Sequence, residues 1–184
     1  MSDNSVSIKV VNSISELNRE EWDRCAISHS SDSLDEIEDP FTSYDFLNAL
    51  EKSRSVGEKT GWLPYHLAAI HKNKLVGVVP LYLKSNSQGE YIFDHNWAHA
   101  FERAGGRYYP KLQISIPFTP VTGRRLLVSE MLLVIQLLYC SRVLSNFVSK
   151  INYPVFIRPF VLSRNLNSGR NLECLVGSHN NSIG

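Results

Sequence analysis

Cysteine is scarce in this chain of 184 residues, and its three copies stand far apart, at Cys25, Cys140 and Cys174. No two of them form a C-x-x-C pair, and their number is odd. This spacing argues against a disulfide framework and against a zinc site, and it fits a reducing compartment. We therefore expect a cytoplasmic protein whose fold depends on its hydrophobic core.

The sequence also lacks a secretory leader and a long hydrophobic run. Its first ten residues, MSDNSVSIKV, contain neither a basic n-region nor an apolar segment. The longest apolar stretch, residues 126–140, is interrupted by three polar residues. It is shorter than the roughly 20 apolar residues that cross a bilayer. It predicts a buried amphipathic helix within about residues 127–149, and no membrane span.

Signatures of covalent hydrolases and of metal sites are absent too. There is no G-x-S-x-G motif and no cysteine beside a candidate base. His95 and His99 have the i, i+4 spacing of a metal pair, but the H-E-x-x-H pattern is missing. The acidic residues 35–39 lack the spacing and the glycine of an EF-hand. These features favour helix caps, surface contacts and a solvated loop over a bound metal.

Charge is plentiful but unevenly distributed. Residues 1–60 carry 6 Lys and Arg against 13 Asp and Glu, and residues 61–184 carry 13 against 5. The formal net charge of +1 therefore hides an acidic first third and a basic remainder. This asymmetry predicts a polarised surface.

Hydrophobic spacing predicts elements in the order β-α-α-β-β-β-α-β-loop-α-β. Strands are expected at 5–12, 62–71, 74–85, 89–94, 110–117 and 153–162, and helices at 14–27, 43–54, 96–106 and 127–149. This order indicates a mixed α/β (α+β) fold with a mixed sheet flanked by helices. We assign residues 1–162 to one domain and residues 163–184 to a tail, because 12 of its 22 residues are Asn, Ser or Gly.

Four local signals sharpen this assignment. Ser13 and Glu16 have the spacing of a capping box at a helix start. The polar turn at residues 72–74 indicates a hairpin, and Pro80 belongs at a sheet edge or a bulge. Gly105 is placed to end the third helix.

The segment IPFTPVTGRRLLV, residues 116–128, contains more donors than a connector needs. If a helix starts after it, its backbone N–H groups and the helix N-terminus converge on a point that attracts phosphate or carboxylate. The predicted anion-binding residues are Thr119, Thr122, Gly123, Arg124 and Arg125. An ordinary strand–helix connector is an equally good interpretation of the loop taken alone.

A second basic segment, FERAGGRYYPK, interleaves cations and aromatic rings. Its candidate residues are Arg103, Arg107, Tyr108, Tyr109 and Lys111. Such a set can hold a nucleotide or RNA by charge and stacking, and we predict that it lines the approach to the loop. The alternative is that the tyrosines are half-buried at a strand start.

Three segments together are similar to a known family. They are DPFTSYDFLNALEKSRSVGEKTGW, GWLPYHLAA and GVVPLYLKSNSQGEYIFDHNWAHAFERAGGRYYPKLQISIPFTPVTGRRLL. They resemble the bacterial FemAB-like predicted N-acyltransferases, which are related to the Fem-type aminoacyltransferases of peptidoglycan cross-bridges within the GNAT superfamily. The resemblance covers about residues 20–128.

The resemblance implies a fold and an activity. Fem-type proteins consist of two GNAT-like halves, and this chain corresponds to the first. The implied activity is transfer of an acyl or aminoacyl group to an amine of a cell-wall precursor or related metabolite. The implied acyl donor is acyl-CoA or aminoacyl-tRNA, and no tightly bound cofactor is expected. The implied substrate is a small molecule or a nucleotide-linked compound, and no DNA partner is expected. Residues 117–125 occupy the place of the GNAT pyrophosphate loop but lack its Q/R-x-x-G-x-G/A signature.

The resemblance also leaves alternatives to an active enzyme. Family members are about twice as long, and the similarity fades after about Val128. One alternative is therefore a non-catalytic ligand-binding half, and another is a truncated or frameshifted remnant. The sequence does not identify a catalytic residue. A half-domain is expected to expose an apolar face within residues 132–138 and to self-associate through it.

Overall fold

In a computed structural model, the structure describes residues 6–29, 36–37, 39–90, 95–129 and 155–157. The strands are β1 (Ser7–Val11), β2 (Ser28–His29), β3 (Glu36–Ile37), β4 (Trp62–Pro64), β5 (His66–His71), β6 (Lys74–Val79), β7 (Leu81–Lys84), β8 (Lys111–Ile114), β9 (Leu127–Val128) and β10 (Val155–Ile157). The α-helices are α1 (Arg19–Ala26), α2 (Tyr44–Lys52) and α3 (His95–Arg103), and 3₁₀ turns form at Ile14–Glu16, Pro40–Thr42 and Glu58–Thr60.

The strands form two four-stranded sheets and a small β2–β3 pair. One sheet has the order β1-β5-β6-β9 and is antiparallel throughout. The other has the order β10-β8-β7-β4, in which β10 runs parallel to β8 and the other pairs are antiparallel. The predicted mixed α/β (α+β) fold is confirmed, and it is consistent with a GNAT-like domain.

One long hairpin connects the two sheets. Its first arm contains β4 and β5, and its second arm contains β6 and β7. The turn at Lys72 and Asn73 confirms the predicted hairpin, since both residues have positive φ, as a type I′ turn requires. Each arm is longer than the strands it contains, because Tyr65 and Pro80 interrupt the ladders.

The first predicted helix is divided in two. Ser13 and Glu16 form the predicted capping box, but this box begins a 3₁₀ turn. The chain is extended at Leu17, and α1 then starts with its own cap, in which the Asn18 side chain accepts from the Glu21 N–H. An asparagine favours such a cap over a helix interior, which explains why a single helix over residues 14–27 is wrong.

The core lies on both faces of the sheets. On one face, α1 and α2 cover the apolar side chains of β5, β6 and β9, and Trp22 of α1 also donates from Nε1 to the Thr42 carbonyl over 2.9 Å. On the other face, residues of β5, β6, β7 and β8 form a second cluster. Its buried members are Leu67, Val79, Leu81, Leu112 and Ile114.

Several predicted elements are tested only in part. The helices predicted at 43–54 and 96–106 are confirmed as α2 and α3, and Gly105 follows α3 with φ of +83°. The strand predicted at 89–94 is absent at 89–90, and residues 91–94 lie outside the described residues. So do the tail at 163–184 and the apolar face at 132–138. In the described ranges, no helix has the length and apolar character needed to cross a bilayer.

Candidate functional site

The predicted anion loop is an excursion from one edge of the sheets. β8 pairs with β7 and β9 pairs with β6, and β6 and β7 belong to the same arm of the hairpin. β8 and β9 therefore follow one line, which residues 115–126 leave and rejoin; we call this segment the excursion. On the paired arm of the hairpin, Val79 and Pro80 lie opposite this gap, because β8 pairs as far as Leu81 and β9 begins to pair at Val78. Pro80 has no N–H to donate to a ladder, so a break there costs little.

The excursion ends in a strand, whereas the sequence predicted a helix. Leu127 and Val128 form β9, opposite Val78 and Gly77. The prediction that a helix starts at residue 127 is therefore wrong, because residues 127 and 128 are part of a strand. Residues 130–149 of the predicted helix lie outside the described residues.

Arg124 is exposed, and its guanidinium is fixed at the C-terminal end of α1. Nη2 donates to the carbonyls of Ala26 and Ile27 over 2.7 and 2.8 Å. A cation suits the partial negative charge of a helix end. Nε and Nη1 have no hydrogen-bond partner among the described residues, so their N–H groups remain for a ligand. Desolvation lowers the pKa of Arg124 while Asp39 acts against the shift, and the group stays charged at neutral pH.

Arg125 is turned inward and serves the excursion itself. Its Nη1 donates to the Arg124 carbonyl over 3.0 Å, and its Nη2 donates to the Val121 carbonyl. Desolvation lowers the pKa of Arg125, and Asp39 again opposes this effect. With both terminal nitrogens engaged, Arg125 has less to offer a ligand than Arg124.

Asp39 approaches the excursion at Gly123. A Cβ built on Gly123 would lie 2.8 Å from Asp39 Oδ2 and 3.1 Å from Arg125 Nη1. Only a residue without a side chain lets the Asp39 carboxylate come this close to the backbone. The carboxylate cancels part of the positive charge of the two arginines, so an incoming anion would compete with Asp39.

The two threonines of the predicted set differ in exposure. Thr119 is half-buried and Thr122 is exposed. Before them, Phe118 adopts φ of +57° and packs its ring on Trp62, with 5.6 Å between the ring centroids. The start of the excursion is thus held at Trp62 and its end at α1, and the threonines lie between these two anchors.

The second predicted set does not form one exposed surface. Arg103 and Arg107 are exposed, whereas Tyr108 and Lys111 are each 1% exposed. Lys111 Nζ lies 3.0 Å from Glu90 Oε2 and 5.1 Å from the centre of the Tyr108 ring. Both Lys111 and Tyr108 are therefore enclosed, and Glu90 neutralises the lysine, so in this arrangement neither side chain is exposed to an incoming ligand. Tyr109 is half-buried and stacks edge-on against Tyr108.

Sequence reasoning missed a buried polar strip on β7 and β8. Lys84 is opposite Lys111, and Tyr82 is opposite Gln113, so these four side chains share a face of the sheet. Ser115 continues the alternation. All five are at most 9% exposed. Alternation in KLQIS identifies the shared face, but an alternating strand normally turns its polar face to water, and nothing in the sequence shows that this face is covered.

A second missed feature is the buried pair of Glu51 and His66. His66 Nε2 lies 3.0 Å from Glu51 Oε1, and Nδ1 accepts from the Leu81 N–H over 3.2 Å. Since Nδ1 accepts, the ring proton is on Nε2 and points at the carboxylate. Glu51 Oε2 accepts from Ser13 Oγ over 2.7 Å. The pair joins α2, the hairpin and the first 3₁₀ turn.

Metal ligands do not gather among the described residues, where no group of three His, Cys, Asp or Glu side chains could hold an ion. His95 and His99 lie on α3, and both are exposed. Cys25 is buried, and desolvation raises the pKa of its thiol to about 11, so it is protonated at neutral pH.

Comparison with known protein families identifies a match that covers most of the chain. Residues 13–155 match the model of a family named FemAB-like and described as peptidoglycan biosynthesis/recognition. The matched segment contains α1, α2, α3, the hairpin and the excursion. It continues beyond Val128, where the sequence resemblance was expected to fade. No curated protein and no solved structure matches the chain.

Proposed function

Because the chain belongs to the FemAB-like family of peptidoglycan biosynthesis and recognition, we propose that it takes part in N-acyl transfer to an amine of a cell-wall precursor or related metabolite. The family match over residues 13–155 is the observation that carries this proposal. The mixed sheet adds support, since GNAT-like acyltransferases are built on such a sheet. We place the chain in the cytoplasm, where activated acyl donors are available.

The proposed reaction is a direct displacement at an acyl carbon. The amine nitrogen attacks the carbonyl carbon of the donor, a C–N bond forms, and the C–S bond of acyl-CoA or the C–O bond of aminoacyl-tRNA breaks. The thiol or hydroxyl leaves with a proton that the amine gives up. The step needs a neutral amine, a stabilised oxyanion and a proton for the leaving group, but no covalent enzyme intermediate.

We assign binding of the acyl donor to the excursion. Thr119, Thr122 and Arg124 supply hydrogen-bond donors, Gly123 makes room for the Asp39 carboxylate, and Arg125 holds the shape of the turn. Arg124 carries most of this assignment, because it is fixed at Nη2 and its other nitrogens remain for a phosphate. Arg103 and Arg107 are exposed and add positive charge that attracts a nucleotide-linked ligand.

Substitution of Arg124 tests this assignment. Arg124→Ala is expected to lower the affinity for the acyl donor by about tenfold or more, since a charged hydrogen bond to phosphate is worth about 1.5–3 kcal/mol. Arg124→Lys keeps the charge without the fork, so it should recover only part of the affinity. Binding of coenzyme A and of aminoacyl-tRNA is measured by calorimetry, alongside the Tm of each variant. Unchanged binding in a folded Arg124→Ala protein would remove the excursion from the donor site.

A transfer assay tests the activity itself. The full chain is incubated with acyl-CoA or aminoacyl-tRNA and a cell-wall precursor that carries a free amine, and mass spectrometry follows the acceptor. The proposal predicts an acceptor heavier by the acyl group. Release of the donor's leaving group without acylated acceptor would show hydrolysis instead.

A second candidate function is non-catalytic ligand binding. The observation that favours it is that Lys111 and Arg125, two of the predicted ligand-binding cations, have internal partners. It predicts donor or acceptor binding without transfer in the same assay. A concentration series in analytical ultracentrifugation would show whether the chain self-associates.

A further inference from the structure

We propose that Asp39 and Arg124 together form a binding site for a small zwitterion of the α-amino acid class. Arg124 holds the carboxylate of this ligand, and Asp39 holds its ammonium group. Binding of the zwitterion does not depend on acyl transfer. Its competition with the acyl donor for Arg124 rests on the proposed function and adds a means of regulation to it.

The first observation is that each of the two charged groups is fixed through one of its atoms only. Asp39 Oδ1 accepts from the Phe41 N–H over 3.0 Å and so caps the 3₁₀ turn, whereas Oδ2 has no hydrogen-bond partner among the described residues. Arg124 Nη2 is fixed on two carbonyls at the end of α1, and in the same part of the chain Nε and Nη1 have no such partner. An anionic oxygen and cationic N–H groups are therefore held in place for a ligand.

The second observation is that the opposite charges are adjacent but do not pair with each other. Asp39 Oδ2 and Arg125 Nη1 would lie 2.8 and 3.1 Å from the same Cβ built on Gly123. Desolvation lowers the pKa of Arg124 and of Arg125, and the charge of Asp39 opposes both shifts. Among the described residues, however, Asp39 forms no ion pair with either arginine. Each sign of charge thus remains to be paired by a ligand.

A site with both signs of charge selects a ligand that also carries both. A simple carboxylate is attracted by Arg124 but repelled by Asp39, and a simple ammonium group meets the reverse. An α-amino acid carries the ammonium group and the carboxylate on the same carbon, so each group finds its opposite charge. Thr122 is exposed near Arg124 in the chain, and its hydroxyl can donate to the second carboxylate oxygen.

Comparison of L-alanine with propionate is the direct test, since propionate is the same molecule without the ammonium group. Each compound is titrated against the full-length chain labelled with ¹⁵N, at constant ionic strength, and nuclear magnetic resonance follows the backbone amide signals. We expect L-alanine to shift the signals of residues 122–125 in a saturable way and propionate to bind at least tenfold more weakly. Equal affinities for the two compounds would overturn the proposal, and so would unmoved signals at high L-alanine concentration.

Asp39→Asn tests the role of the carboxylate. Asparagine caps a turn as well as aspartate does, so Tm should be retained while the negative charge is lost. The affinity for L-alanine should fall at least tenfold, and the affinity for propionate should rise because the repulsion is removed. Glu20→Gln removes a negative charge from the first turn of α1, at the other end of that helix from Arg124, and is the matched control. An affinity for L-alanine that falls no further in Asp39→Asn than in Glu20→Gln would leave Asp39 with its capping role alone and overturn the proposal.

The zwitterion site and the proposed function can fail separately. Binding of L-alanine that depends on Asp39, in a chain that transfers no acyl group, would leave the site standing and remove the enzymatic activity. Acyl transfer by a chain that does not bind L-alanine, with a KM for the donor that L-alanine does not change, would do the reverse.

Discussion

Individual residues in this chain connect elements that are distant in sequence. Glu51 accepts hydrogen bonds from the Ile14 backbone, from Ser13 and from His66, so one carboxylate joins a helix, a 3₁₀ turn and a sheet. Desolvation raises the pKa of Glu51, but the hydrogen bonds from His66, Ser13 and Ile14 together outweigh it. The pKa of the folded carboxyl therefore lies below its ordinary value, and its charged form stabilises the fold.

This depressed pKa gives a signed pH dependence. The stabilisation from Glu51 is fully present above the unfolded pKa, about 4.3, and it is lost as pH falls through the lower folded pKa. Glu51→Gln should lower the free energy of unfolding by about 1–3 kcal/mol at pH 7, with a smaller effect near pH 3. Urea unfolding at several pH values measures this. A cost independent of pH would show that geometry, and not charge, makes Glu51 important.

The structural elements that the sequence predicted correctly are those that depend on local signals. The hairpin turn at Lys72 and Asn73, the cap at Ser13 and the end of α3 at Gly105 all depend on residues within a few positions. β9 depends instead on pairing with β6, about 50 residues earlier in the chain. Apolar residues at 126–140 fit a helix when read alone, so local periodicity predicted a helix at residues 127 and 128, which form a strand.

The candidate site was predictable to a similar degree. The Pro, Gly and Arg residues of the excursion predict that it is a loop and that Arg124 is exposed. Burial of Lys111 with Glu90 does not, because the two residues are brought together only when β8 pairs with β7 and the chain after Lys84 folds back. A pattern of alternation shows which side chains share a face, but not what covers it.

Gly89 lets the Phe118 ring of the excursion pack closely against the chain beside Trp62 of the hairpin. Its φ is +74°, and a Cβ there would lie 2.5 Å from the Phe118 ring and 2.8 Å from Trp62 Nε1. Gly89→Ala should therefore destabilise the protein by about 1–3 kcal/mol through backbone strain and displacement of Phe118.

Thermal unfolding of Gly89→Ala measures this cost. Gly57→Ala is the control, because a Cβ at Gly57 would meet no atom within 4 Å. An equal loss of Tm in both variants would show that Phe118 and Trp62 do not depend on the close approach at Gly89.

On one face of the two four-stranded sheets, the buried side chains form an apolar part and a polar part. The apolar part is covered by α1 and α2, and the polar part contains Gln113 and the two buried lysines. The excursion starts from the polar part, and its Arg124 is held at the C-terminal end of α1, so the proposed donor site lies beside both parts.

Hydrogen–deuterium exchange of the full chain tests this account most directly, with and without acyl-CoA or aminoacyl-tRNA. The account predicts that the donor slows exchange in residues 118–126 and at the C-terminal end of α1, and that Arg124→Ala abolishes this protection. β1, at the opposite edge of its sheet from β9, serves as an internal reference and should not change. Protection confined to other segments, with residues 118–126 unaffected by either donor, would contradict the assignment of donor binding to the excursion.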